Sequence, residues 1–355
     1  MKKSFTSFFI LVSSFVFSQT PNFQWVKSFQ GNGVYAHSVA RDAANNVYAF
    51  GEFSNSQDFN PYPGPLFPWN MTAIGSGSVI NLDAFVVKYD PSGLFGWATQ
   101  IHVGDNDNAF AFSADGVGNT YAAGRFQNWV PITTNYNIFV SKLNSSGSVI
   151  WSQPINGPGS SPNCYGIALG IDSDPLGNVY VAGSFNDTLG FDPVGTNTLA
   201  SSPGGDGFIL KLNINGMFLW AKQIADVTGS SSSWTDIRSI VADNLGDVYY
   251  TGFTYDTVDF DPGPGTFTMS PGAFVSKLNS AGNFVWAKQI IGAGGTALEM
   301  DNTSNIYFTG SFAGTADFDM GAGTFTLNAS LGNAFISKID PSGNFIWAKQ
   351  FNGTT

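Results

Sequence analysis

Phe274-Val-Ser-Lys277-Leu-Asn279-Ser-Ala-Gly282-Asn-Phe284-Val-Trp286-Ala-Lys288-Gln289 is two short apolar runs joined by a turn, and the chain repeats it. The first run recurs as Phe85-Val-Val-Lys88, Phe139-Val-Ser-Lys142, Phe208-Ile-Leu-Lys211 and Phe335-Ile-Ser-Lys338. The second recurs as Phe95-Gly-Trp97, Val149-Ile-Trp151, Phe218-Leu-Trp220 and Phe345-Ile-Trp347, with a sixth copy at Phe23-Gln-Trp25-Val-Lys27. Successive tryptophans lie 72, 54, 69, 66 and 61 residues apart. A fixed unit of this size marks a repeat architecture.

Upstream of each pair stands a tyrosine run: Asn46-Val-Tyr48, Asn119-Thr-Tyr121, Asn178-Val-Tyr180, Asp247-Val-Tyr249 and Asn305-Ile-Tyr307, ending at Gly51, Gly124, Gly183, Gly252 and Gly310. A weaker apolar stretch precedes each, such as Ile237 to Ala242. Runs that are short, aromatic and β-branched between turn residues read as half-buried strands. Four strands per unit, A to D, make a small antiparallel sheet. Such a sheet cannot bury both faces alone, and stacking the units around an axis gives an all-β propeller of four-stranded antiparallel blades. The windows are about 26–97, 98–151, 152–220, 221–286 and 287–347. Five full repeats and an extra D strand do not close a five-bladed ring, so the expectation is a fragment of a larger one.

Spacing separates scaffold from site. From the strand C Phe to the strand D Trp the distance is 12 residues in all five units. Between them Asp90-Pro-Ser-Gly93, Asn144-Ser-Ser-Gly147, Asn213-Ile-Asn-Gly216, Asn279-Ser-Ala-Gly282 and Asp340-Pro-Ser-Gly343 carry a type I turn signature. Asp42, Asp115, Asp174, Asp243 and Asp301 open the A–B turns. From the strand B Gly to the strand C Phe the count is instead 34, 15, 25, 22 and 25. The A–B and C–D turns therefore form a regular face, and the B–C and D–A loops a variable one. Variable loops on a rigid scaffold are where binding usually sits.

The pattern Gly-Asn-Val-Tyr-Val-Ala-Gly-Ser-Phe (177–185), Asp-Phe-Asp-Pro-Gly-Pro-Gly-Thr (259–266) and the 274–289 run resembles the bacterial β-propeller repeat called SBBP, over essentially the whole mature chain. The resemblance implies a secreted or surface protein of Bacteroidota type, of a kind often exported by type IX secretion. The sorting domain of that route is not in this sequence. The resemblance implies no shared catalytic residues.

The N-terminus agrees with export. A basic Met1-Lys2-Lys3 start, an apolar run from Phe8 to Phe17, and small residues Val16 and Ser18 predict a signal peptide over 1–18, cleaved before Gln19. The run is shorter than a bilayer span of about 20 residues, so no membrane insertion is expected. Residues 19–355 form the propeller domain. The charge is −11, and loss of Lys2 and Lys3 brings it to −13. A chain this acidic has no basic stripe for phosphates, which excludes nucleic acid as a partner class. Cys164 is the one cysteine, so no internal disulfide forms and burial carries the stability.

All nine mature lysines sit in strands C and D, which leaves none for a Schiff base. His37 and His102 lie in different units without a local ligand cluster, so no metal site is expected. Asp58-Phe59-Asn60, Phe191-Asp192, Asp259-Phe260-Asp261 and Asp317-Phe318-Asp319 offer carboxylates for calcium, but lack the dense spacing of a calcium loop. No cofactor is expected. The alternative for these loops is an Asx turn with the Phe packed between blades. Trp69, Trp129 and Trp234 fall outside the strand D repeat and are the candidate ligand-binding anchors. The expected function is a secreted, non-catalytic binding or adhesion module for an extracellular glycan or protein. The alternatives are a polysaccharide-active enzyme with a carboxylate pair in the funnel, and a structural spacer.

Overall fold

The computed structural model describes residues 23–29, 33–60, 69–75, 81–127, 135–156, 164–192 and 196–351, with nothing said of the side chain of Leu331. The expected signal peptide and Trp129 lie outside the described residues. Among the described residues every regular element is a strand. Blade one holds Val34–Arg41, Val47–Ser54, Leu82–Tyr89 and Phe95–Ile101 as strands A to D, and blade two holds Asn106–Ala114, Thr120–Gln127, Asn137–Leu143 and Val149–Ile155. Blade three is Tyr165–Ser173, Val179–Asn186, Asp206–Leu212 and Phe218–Asp226. Blade four is Thr235–Ala242, Val248–Thr254, Gly272–Leu278 and Phe284–Ile290, and blade five Ala293–Met300, Ile306–Asp317, Thr326–Ile339 and Phe345–Phe351. Pairing within each blade is antiparallel in the order A–B–C–D. The D strands run past their tryptophans, so the sheets end a few residues later than the sequence windows.

Each strand A carries a bulge, at His37, Phe110, Leu169, Arg238 and Thr296, where its register against strand B shifts. A bulge inserts one residue and re-aims its side chain. The glycine within each strand B lies where strand A crosses: a Cβ on Gly51, Gly124, Gly183, Gly252 or Gly310 would meet a strand A carbonyl. That accounts for the repeated glycine.

One contact joins the blades at all four described junctions and ties the segment 23–29 to blade one in the same way. Trp25, Trp97, Trp151, Trp220 and Trp286 each donate Nε1–H to the second carbonyl of the next C–D turn, at Pro91, Ser145, Ile214, Ser280 and Pro341, over 3.0–3.4 Å. The turn's glycine (Gly93, Gly147, Gly216, Gly282, Gly343) has φ between +76° and +86°, and its bare Cα faces the same indole. Trp25 makes this contact although residues 23–29 form no regular strand. The indole leans on a buried tyrosine, as Trp97 on Tyr48 and Trp220 on Tyr180. The strand C lysine stands over the same ring, at 4.6–5.3 Å in all five blades. Tyr180 completes the unit, its single hydroxyl proton shared between Asp174 of its own A–B turn and Gly246 O of the next blade.

The B–C loops are partly regular. Ser56–Asp58 pairs with Asn70–Thr72, Thr188–Gly190 with Thr198–Ala200, and Val258–Asp259 with Thr268–Met269. Their phenylalanines Phe59, Phe191, Phe260 and Phe318 are buried, 4.7–5.2 Å from the strand C Phe. On blade one, Val39 is 72% exposed, whereas Leu298 at the matching position of blade five is 3% exposed beneath blade four. No described blade covers Val39.

The indole contact makes the turn glycine more costly to change than its conformation alone requires. Gly229 also has positive φ, +70°, but a Cβ there meets nothing within 4 Å. Gly229→Ala is expected to cost about 1 kcal/mol from backbone strain. Gly216→Ala is expected to cost about 2–4 kcal/mol, since its Cβ also runs into Trp151. Urea unfolding of the two variants side by side measures the difference.

Candidate functional site

A cavity of about 800 Å³ opens at the mouth of the central channel on the face of the B–C and D–A loops. Three rings stand around it: Tyr136, where chain from the B–C loop enters strand C, and Tyr165 and Trp234, where two strands A begin. Tyr165 lies edge-on to Tyr136 at 5.7 Å and to Trp234 at 5.9 Å. Backbone N–H groups fix the first two: Gly166 N donates to Tyr136 O, and Tyr165 N to the side-chain oxygen Oδ1 of Asn186. Trp234 packs on Gly205, whose φ of +127° and missing Cβ admit the indole.

Polar groups line the same mouth. Asp236 accepts from Ser184 Oγ at 2.8 Å, from Trp234 Nε1 at 3.1 Å, and from Arg238 Nε and Nη2 at 3.2 and 3.1 Å. Arg238 is the bulge residue of its strand and stands 4.5 Å over Phe253. Behind Tyr136 and Tyr165 lies Arg125, 4.5 Å and 5.8 Å from their centroids, donating to Tyr165 OH and Asn108 Oδ1. Ile167 and Leu169 supply apolar wall. Rings that stack, a carboxylate and amide that accept, and two planar cations form a binding chemistry.

The three tryptophans singled out from sequence part company. Trp234 lines the cavity. Trp69 is 42% exposed, but on the outer edge of blade one, where its indole donates to Ala98 O at 2.7 Å and stands edge-on to Phe95. The paired hairpin 56–58/70–72 carries it down beside strand D, away from the channel mouth. Trp129 lies outside the described residues. Tyr136, Tyr165, Arg125 and Arg238 were not found from sequence. Each reads there as an ordinary strand residue, and three blades are needed to bring them together.

The histidines and acids also have places. His37 Nε2 is 3.7 Å from Glu52. The fold gives His102 the neighbours that its sequence context lacks. Nδ1 lies 2.9 Å from Asp83 Oδ1 and 3.7 Å from Asp107 Oδ2, and the three donor atoms fall within 4.8 Å of one another. Both carboxylates are fully buried, and both also accept backbone N–H groups, from Ile74 to Asp83 and from Val103 and Gly104 to Asp107. The loop aspartates bind their own backbone: Asp259 accepts from Asp261 N and Phe267 N, and Asp317 likewise from Asp319 N and Phe325 N. Deeper in the channel, toward the A–B face, Asp172 of blade three and Glu299 of blade five both line the channel. Burial pushes both carboxyls upward, Asp172 to about 7. Cys164 is buried, its thiol also pushed up by burial, to about 11.

No protein-family model matches the chain. It is 26% identical over 407 aligned residues to an uncharacterized WD repeat-containing protein of Acanthamoeba polyphaga mimivirus, covering 94% of this chain and 29% of that protein. Among solved structures it is similar to a Bacteroides caccae protein of unknown function (12% identity, TM-score 0.37, 79% of this chain and 92% of that one). It is also similar to YCF48 bound to D1 peptide (10% identity, TM-score 0.35, 90% of this chain and 94% of that one). The strand order, the repeated blade contact and the central channel define a β-propeller repeat protein.

Burial also raises Asp107, to about 7. An unfolded Asp titrates near 3.9, so between about pH 4 and 7 the folded state holds a proton that the unfolded chain has released. Stability is then lost as pH rises through that window and levels off above 7, by at most about 1.4 kcal/mol per pH unit for one such group. Wild type is expected to have a higher urea midpoint at pH 5 than at pH 8, and Asp107→Asn a smaller difference between them.

Proposed function

We propose that this is a secreted or surface-displayed, non-catalytic propeller of the SBBP type that binds an extracellular glycan or protein partner on its variable-loop face. The aromatic cavity at the channel mouth carries the reading. It has the size of a ligand pocket, about 800 Å³, and it lies on the face where loop lengths vary. Its rings are half-buried and held by backbone contacts, so little ordering accompanies binding. The basic, apolar start of the chain and its small residues at −3 and −1 support export.

The test is native electrophoresis of the mature protein through gels containing a panel of polysaccharides. Retardation is expected, without new reducing ends. Trp234→Ala and Tyr165→Ala are expected to weaken it 10-fold or more, at about 1.4 kcal/mol per decade for the loss of a well-packed aromatic anchor. Trp69→Ala is expected to leave it unchanged, because that indole faces away from the channel. Equal weakening by Trp69→Ala would remove the pocket from the account. An absence of retardation in every gel would direct the search to protein partners and favour a spacer.

Asp172 and Glu299 favour a second reading, a polysaccharide-active enzyme. Two carboxyls of raised pKa lining one channel are the raw material of general acid–base chemistry. New reducing ends, lost in Glu299→Gln, would establish it.

A further inference from the structure

The mature chain has three arginines, Arg41, Arg125 and Arg238, in a protein of charge −13 once Lys2 and Lys3 are gone. Arg238, on strand A of blade four, lines the aromatic cavity, and Arg125, on strand B of blade two, stands behind two of its rings, Tyr136 and Tyr165. They are not equivalent. Arg238 is neutralised by the two-pronged contact with Asp236. Arg125 is held by neutral groups: the rings of Phe110, Tyr136 and Tyr165, the Tyr165 hydroxyl and the Asn108 amide oxygen. No carboxylate pairs with it among the described residues. A half-buried guanidinium in so acidic a chain is a selective feature, since carboxylates are abundant and none is set opposite it.

We infer that the cavity takes an acidic polysaccharide, with a uronic-acid carboxylate directed to the Arg125 side and sugar rings against Tyr165 and Trp234. The inference rests on the binding reading above and names its ligand. A planar guanidinium fork matches a carboxylate in a way that a lysine does not. Aromatic faces accept the C–H faces of a sugar ring. Asn186, Asp236 and Thr296 at the same mouth offer acceptors and donors for hydroxyls. The described rings gather in one pocket, whereas a stable protein interface spreads over about 800 Å² on each partner, so the glycan is the better occupant. The negative charge of the rest of the molecule repels a polyanion at long range. At 0.15 M salt that field is screened beyond about 8 Å, and the local contact decides.

The experiment compares uronate polymers (polygalacturonate, alginate, hyaluronate) with their carboxyl-reduced forms in the same affinity gels. The reduced polymers keep the ring stereochemistry and lose the charge. Wild type is expected to bind at least one uronate about 10-fold or more tightly than its reduced form, the scale of one charge-assisted hydrogen bond. Arg125→Gln is expected to abolish the difference and Arg125→Lys to restore part of it. Equal retention of charged and reduced polymers by wild type overturns the inference and leaves the binding site standing. That comparison needs no variant to fold. Retention of neutral glycans alone also overturns it. Retention of nothing, charged or neutral, sinks the inference together with the glycan site it rests on.

Discussion

The fold depends on an indole meeting a glycine. In each described junction a strand D tryptophan lies on the C–D turn of the next blade, donating to one carbonyl and pressing on the one residue without a side chain. The turn needs positive φ at that residue, and the neighbouring blade needs it bare, so glycine satisfies two constraints at once. A tyrosine and a lysine from the same blade complete the clamp. Because the contact passes from each blade to the following one, the blades share a fixed angle and their strands A converge on a channel. Everything placed at the channel mouth inherits that precision.

Such a scaffold frees the opposite loops. The clamp holds one face to a constant 12-residue spacing, while the B–C segments range from 15 to 34 residues. The loops are still not loose: their phenylalanines are buried on strand C, and their aspartates hold their own backbone. Rigid support beneath a varied rim suits recognition, since a preformed pocket avoids the entropy of ordering its walls. The cavity combines rings from three chain segments with a neutralised arginine, and a second arginine without a carboxylate partner among the described residues backs two of the rings. That pairing of flat apolar surface and cation is what separates it from the acidic remainder of the surface.

The architecture was legible because it is local. Strand, turn and period are each written within about sixty residues, the length of one supersecondary unit, and repetition removes the ambiguity of a single copy. Five of the six repeat tryptophans make the blade contact, and Trp69 and Trp234 stand outside it. The site was legible only in part, because its members come from different blades. Trp234 stood out by breaking the repeat, but so did Trp69, and a paired hairpin turns Trp69 to the outer edge. Tyr136 and Tyr165 open ordinary strands and gave no signal. Arg238 is displaced toward the axis by a bulge, a register shift that no spacing in the sequence reveals. His102 looked isolated because Asp83 precedes it by a whole hairpin and Asp107 belongs to the next blade.

The central claim is a division of labour between clamping and recognising tryptophans, and it can be seen directly. The indole N–H signals of ¹⁵N-labelled mature protein would be followed while the polysaccharide that retards it is added. The account predicts that Trp234, beside Asp236, shifts on binding, while Trp97, Trp151, Trp220 and Trp286 keep the positions set by their turn carbonyls. Shifts confined to the clamping indoles, with Trp234 unmoved, would contradict it.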